Sequence, residues 1–204
     1  MPVNTREFIK LMGRKFAAMI LLIILLLLFL MLTIFAMNDV DREHQIVVDV
    51  FGRQRMLTQQ LSKDANQKYA IMLALRNKEF VVKNDTAQAN MESLNTSMEK
   101  AKEEYSSTLQ SLNNGYLEKG DSSIDFKSSL EELNSLIGAT DSLWDDFSRA
   151  ISVIIENNEM DEEVTESIAF INRNNEKLLE YSDDILKLLI NIHTKNSNPR
   201  VHIG

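Results

Sequence analysis

Hydrophobic positions in this chain follow two regimes. From Phe16 to Met37 they are continuous: 22 residues carry no charge and are rich in Leu and Ile. Beyond Met37 they recur at alternating steps of three and four. One stripe runs Ala87, Met91, Leu94, Met98, Ala101, Tyr105, Thr108, Leu112. A second runs Phe126, Leu130, Leu133, Ile137, Thr140, Trp144, Phe147, Ile151, Ile154. A third runs Ile168, Ile171, Asn175, Leu178, Ser182, Ile185, Leu189, Ile192. Alternation sustained over this length predicts long helices packed nearly parallel or antiparallel to one another.

The breaks fall between the stripes. Asn84-Asp85-Thr86 suits a helix cap. Gly115 to Ser123 holds two glycines among turn and cap residues, and Asn157-Asn158 ends the third helix. Asp161 with Glu162-Glu163 suits the negative first turn of the fourth. Helices of about 30–40 residues would make a rod roughly 45–60 Å long at 1.5 Å per residue. Short connections make neighbours antiparallel. The expected fold is all-α, an up-down-up-down four-helix bundle.

The first helix carries two stripes side by side. One is Val47, Val50, Gln54, Leu57, Leu61; the other is Val48, Phe51, Arg55, Thr58, Ser62, Ala65, Tyr69, Met72. A wide apolar arc can pack on two sides. One side would meet its own bundle and the other a second copy, as a parallel homodimer with first helices near the two-fold axis.

The uninterrupted run 16–37 has the roughly 20 residues that span a bilayer, and is too long for the core of a cleaved leader. Arg6, Lys10, Arg14 and Lys15 precede it; Asp39, Asp41 and Glu43 follow soon after. Positive charge stays on the cytoplasmic side. The expected order is a cytoplasmic N-terminus (1–15), one transmembrane helix (16–37), an extracytoplasmic four-helix bundle (38–195) and a C-terminal tail (196–204). The expected place is the bacterial inner membrane. No second apolar run follows, so an output would need a further segment or a separate signalling partner.

Composition removes several alternatives. The chain holds 6 Gly and 2 Pro, too few for a β sandwich or barrel with regular turns. It has no Cys, which excludes disulfides, thiol nucleophiles and thiolate metal sites. The net charge of −8 argues against nucleic acid as a partner. His44, His193 and His202 match no metal-binding spacing, and no catalytic or nucleotide-binding fingerprint is present. No metal, cofactor or enzymatic activity is expected.

The segment Gly52-Arg53-Gln54-Arg55-Met56-Leu57-Thr58-Gln59-Gln60 stands out. Arg55 occupies a stripe position between Phe51 and Thr58, and Gly52 weakens the helix by about 1 kcal/mol relative to Ala. A guanidinium at a packing position needs a neutralising partner. Glu176, Glu180, Asp183 and Asp184 on the last helix are candidates for a structural ion pair. The other option is a small anion held between two symmetry-related Arg55 side chains, because the planar guanidinium fork binds oxyanions with paired hydrogen bonds.

Phe51-Gly52-Arg53-Gln54-Arg55-Met56-Leu57-Thr58-Gln59-Gln60-Leu61-Ser62-Lys63 resembles the G-R-Q-R-M-L-S-Q-R-x-x-K motif of the type IV pilus methyl-accepting chemotaxis transducer N-terminal (PilJ/NarX-like) sensor domain. Asn174-Asn175-Glu176-Lys177-Leu178-Leu179 is similar to the N-x-x-L-L near the end of that domain. The resemblance covers roughly residues 38–192. It implies a dimeric four-helix bundle that senses an extracytoplasmic ligand and passes a displacement of its first and last helices onwards. In the related nitrate and nitrite kinases an Arg at the position of Arg55 contacts the anion. A second motif Arg falls on Gln60 here, which leaves an uncharged hydrogen-bonding site open. The expected ligand-binding set is Arg55, Gly52, Arg53, Thr58 and Gln59. A membrane-tethered structural or adaptor bundle with no ligand is the alternative.

Overall fold

The computed structural model describes residues 5–77, 84–120 and 122–197. Helix α1 runs Thr5–Asn77, α2 Asn84–Asn113, α3 Leu130–Glu156 and α4 Glu162–Ser197. Between α2 and α3 lie two short strands, β1 (Tyr116–Lys119) and β2 (Ser122–Asp125), then a 3-10 turn, Lys127–Ser129. The chain divides into two units, 1–43 and 44–204. Helix α1 runs unbroken through the division between the units and through residue 38. Helix α4 extends two residues beyond the expected end of the bundle, and 198–204 of the expected tail lie outside the described residues.

In the first unit, every residue from Met19 to Leu32 is a large apolar side chain exposed to its surroundings, from Ile20 at 43% to Leu32 at 68%. Among the described residues no helix is long and apolar enough to cross a membrane. The side chains of Ala17, Ala18 and 34–37, at the two ends of the expected transmembrane run, lie outside the described residues.

In the second unit, hydrogen bonds fix the helix order. Arg53 and Gln60 on α1 pair with Glu104 and Ser97 on α2, so rising numbers meet falling ones. Trp144 and Lys102 make the equivalent antiparallel links between α2 and α3, to Ser106 and Ser152. Arg55 and Asn66 on α1 meet Asp183 and Asn172 on α4: eleven residues forward on one helix match eleven back on the other. Each neighbour is antiparallel, as short connections require.

The stripes make the core. Leu133, Ile137, Trp144, Phe147, Ile151 and Ile154 of α3 are all buried, as are Ile171, Leu178, Ile185 and Leu189 of α4. Tyr105 stacks on Trp144 with ring centroids 3.9 Å apart, and the indole Nε1 donates to Ser106 Oγ at 3.0 Å. Burial alone would leave that N–H unpaired, so the hydroxyl is what lets Trp144 sit inside. Asp161 caps α4, its Oδ1 accepting from Val164 N at 2.8 Å; this satisfies one of the orphan donors of the first turn.

One expectation changes. The connection Gly115 to Ser123 contains an antiparallel hairpin rather than turns alone: Leu117 pairs with Ile124, and both are buried. Gly115 (φ 77°) and Gly120 (φ 58°) supply its left-handed positions. Both stripes of α1 contribute to the core of this one chain, while Val48 and Arg55 of the second are exposed. Val47, Leu57 and Leu61 of the first and Phe51, Thr58, Ala65 and Met72 of the second are buried. The physical reason is that α1 sits between α2 and α4, and each takes one side of its arc.

Candidate functional site

At 3.6 residues per turn, Gly52, Arg53 and Met56 share one side of α1, and Arg55 lies about 200° from Arg53. The two arginines therefore face different neighbours. Arg53 forks onto Glu104 of α2, donating through Nε to one carboxylate oxygen and through Nη2 to the other at 2.6 Å. This bond holds the Glu104 carboxyl below its ordinary range and pushes the guanidinium of Arg53 up. Arg55 donates from Nη1 to both oxygens of Asp183, at 2.7 and 2.9 Å. The carboxylate partner considered for Arg55 is thus present, and its neighbours on α4 include Asp184 and Glu180. An anion approaching Arg55 from that side meets negative charge.

The expected site residues separate into three environments. Gly52 and Arg53 line an open groove of about 490 Å³ with Asp49, Met56, Glu104 and Lys119. It is walled by α1, α2 and β1. Lys119 reaches back to Asp49 as an ion pair across its edge. Arg55 lies on the α4 side of the helix. Thr58 is fully buried and donates to the carbonyl of Gln54 at 3.0 Å, so its hydroxyl serves the helix itself. Gln59 is exposed and makes no side-chain hydrogen bond among the described residues.

Gln60, where the resembled motif has an arginine, points to α2. Its amide donates to Ser97 Oγ at 2.9 Å, and that hydroxyl donates to Asp64 Oδ2 at 2.6 Å. One turn further on, Lys68 is completely buried. Its ammonium donates to Asn95 Oδ1 at 2.7 Å and to the carbonyl of Ile155 at 2.9 Å, near the end of α3. Loss of hydration pushes its pKa down to about 8. Ile155 is among the last carbonyls of α3, which have no partner within that helix, so the lysine also answers the negative end of the helix dipole. A buried polar layer thus joins α1, α2 and α3.

Sequence reasoning missed Asp64 and Lys68, and a signal was there. They continue the stripe Val47, Val50, Gln54, Leu57, Leu61 at the same spacing. It also missed Asp49, Glu118 and Lys119, because the hairpin that brings β1 to α1 was not foreseen. Among the described residues two buried side-chain atoms, Gln54 Nε2 and Asn175 Oδ1, have no hydrogen-bond partner. Among the described residues no group of His, Asp or Glu is placed to hold a metal ion. A second recess of about 430 Å³, between α3 and α4 beside Arg149 and Glu166, contains none of the expected site residues. No family model matches this chain, and neither a curated protein nor a solved structure matches it.

Proposed function

We propose that the chain is a membrane-anchored extracytoplasmic sensor module of bacterial signal transduction. The observation that carries this reading is the open groove over Gly52, on the same helix as the exposed apolar run. A helix that is apolar on every side belongs in a membrane or in the core of a much larger protein. The 22 uncharged residues of 16–37 match the length of a span. The basic residues before them set the N-terminus inside and the bundle outside. The resemblance of Phe51 to Lys63 to the chemotaxis-transducer sensor motif supports the same reading.

A small ligand would sit in the groove and a second copy would pack along the exposed strip of α1, with Val48, Gly52, Met56 and Gln59 near the two-fold axis. Closing the groove from that side would make affinity depend on how α1 is placed. A ligand shifts such an equilibrium only through its different affinity for the two arrangements. The displacement would pass through the links between α1 and α4, at Arg55–Asp183 and Asn66–Asn172, to whatever the last helix engages.

One observation favours a second reading, a tethered structural or adaptor bundle. Arg53 and Arg55 both have carboxylate partners within the chain, so neither requires a ligand. A thermal-unfolding screen of the full chain in detergent micelles separates the two. Small anions, cations and metabolites are each added in excess. A ligand at 100 times its dissociation constant adds about 2.7 kcal/mol. The sensor reading expects at least one such compound, with its effect lost in Gly52→Leu. A well-folded protein that responds to none supports the adaptor and overturns the sensor.

A further inference from the structure

Sulfur chemistry sets one wall of the groove apart from the rest of the bundle. The chain has 10 methionines and no cysteine, so the thioether is its only sulfur group. In the second unit most of these thioethers are shielded. Met72, Met91 and Met98 are buried in the core, and Met160 packs against it partly buried. Met56 differs. It is 43% exposed and lines the open groove with Gly52 and Arg53. Gly52 lies one turn before it, and a Cβ built there meets nothing within 4 Å, so this side of α1 is open to a small molecule.

The sulfur of Met56 also has a charged donor beside it. Arg53 Nη1 donates to Met56 Sδ at 3.7 Å, while Nε and Nη2 of the same guanidinium are taken by Glu104. The ion pair thus holds Arg53 at the sulfur instead of drawing it away. A thioether is a weak acceptor, so the contact places the guanidinium more than it binds it. That placement matters for oxygen transfer from a hydroperoxide. A sulfur lone pair attacks one peroxide oxygen; the S–O bond forms as the O–O bond breaks. Negative charge gathers on the departing oxygen, which takes the proton of the transferred oxygen and, from hydrogen peroxide, leaves as water. Sulfur loses two electrons and the peroxide gains them. A guanidinium within reach of the departing oxygen stabilises its charge.

We propose that Met56 is a reversible oxidation site for hydroperoxides, promoted by Arg53. The product, a sulfoxide, is polar and carries a strong acceptor oxygen where the thioether had a weak one. Arg53 Nη1, the nitrogen that Glu104 leaves free, is placed to donate to it. The apolar wall that Met56 shares with Val50 becomes polar, and sulfoxide reductases restore it. None of these steps needs a ligand in the groove, so the site stands apart from the sensor reading.

The test treats the full chain in detergent micelles with hydrogen peroxide and follows the oxygen gained by each methionine by peptide mass spectrometry. Met56 is expected to convert roughly tenfold faster or more than Met72, Met91 and Met98, whose sulfurs wait for local opening. Arg53→Gln should slow Met56 several-fold. Glu104→Gln breaks the same ion pair but keeps the guanidinium, and should not slow it. Methionine sulfoxide reductases with dithiothreitol should return the native mass. A Met56 rate no higher than that of the buried methionines overturns the site. An equal rate in the parent and Arg53→Gln, or the same slowing in Glu104→Gln as in Arg53→Gln, overturns the part assigned to Arg53. A sulfoxide that the reductases leave in place overturns reversibility. Each of these failures leaves the sensor reading intact, and silence of the protein toward every compound of the thermal screen leaves the oxidation site intact.

Discussion

Asp183 on α4 accepts two hydrogen bonds from a single nitrogen of Arg55 on α1, at 2.7 and 2.9 Å. Eleven residues along, Asn66 and Asn172 join the same two helices by donating to each other, at 2.7 and 3.1 Å. A slide of α4 by one turn, about 5.4 Å, would break both links together. The links therefore set register between the first and last helices. They do so with little energy, since Arg55 is 47% exposed and Asp183 32%.

That exposure fixes a prediction. Arg55→Ala and Asp183→Asn, singly and together, should reveal a coupling of no more than about 1 kcal/mol, falling as salt rises. Denaturant unfolding of the four proteins measures it. A coupling of several kcal/mol, unaffected by salt, would make the pair a structural anchor and favour the adaptor reading.

Lys68 predicts an unusual response to pH. Burial lowers its pKa from an ordinary 10.5 to about 8 in the folded protein. Below pH 8 both folded and unfolded chains carry the proton, and stability from this group is flat. Between about 8 and 10.5 the unfolded chain binds more protons than the folded one, so stability should rise with pH in that window. The gain is at most about 3 kcal/mol, because one pKa unit is worth about 1.4 kcal/mol. Lys68→Met removes the titration but strands Asn95 Oδ1 and the carbonyl of Ile155. It should flatten the slope between pH 8 and 10 relative to the parent, whatever it does to stability at neutral pH. Unfolding temperatures of both proteins across that range decide the matter. Identical slopes would mean that Lys68 keeps its proton throughout.

The core predicts ordinary large costs. Leu61 of α1 and Phe147 of α3 are wholly buried. Truncation removes transfer free energy and leaves a cavity, so Leu61→Ala should cost about 2–5 kcal/mol and Phe147→Ala about 3–5 kcal/mol. Val48→Ala is the contrast, at a position 42% exposed. Its cost should stay within about 0.5 kcal/mol in a monomer. A larger loss that grows on raising the protein concentration would locate the interface between copies on this strip.

Much of the fold was legible because packing imposes a period. The 3/4 stripes of α2, α3 and α4 became the core almost residue for residue, and even Asn175 and Ser182 kept their inward positions. The site was less legible, since a period tells where a side chain points but not what it meets. Arg55 sat on a stripe and is half exposed; Lys68 sat on a stripe and is buried. The difference lies in partners on other helices, Asp183 for one and the end of α3 for the other. Strands of four residues are too short for alternation to register, so the hairpin that brings Glu118 and Lys119 to the groove was hidden in what looked like a turn.

The glycine that starts that hairpin should be the least replaceable of those described. Gly115 has φ +77°, a region costly for any residue with a Cβ. A Cβ there would also lie 2.7 Å from Lys127 Cγ and 3.1 Å from Lys127 Cα, too close to the backbone for a side-chain rotation to relieve. The same residue accepts from Phe126 N at 2.8 Å, which holds the hairpin to the start of α3. Gly115→Ala should therefore cost about 1–3 kcal/mol from backbone conformation alone, with the clash added. Gly52→Ala provides the opposite case: a helical position, open space around the new methyl, and a gain of up to about 1 kcal/mol. Thermal unfolding of the two variants should move in opposite directions. If Gly115→Ala is neutral, the hairpin is not held as described, and the wall that Glu118 and Lys119 give the groove goes with it.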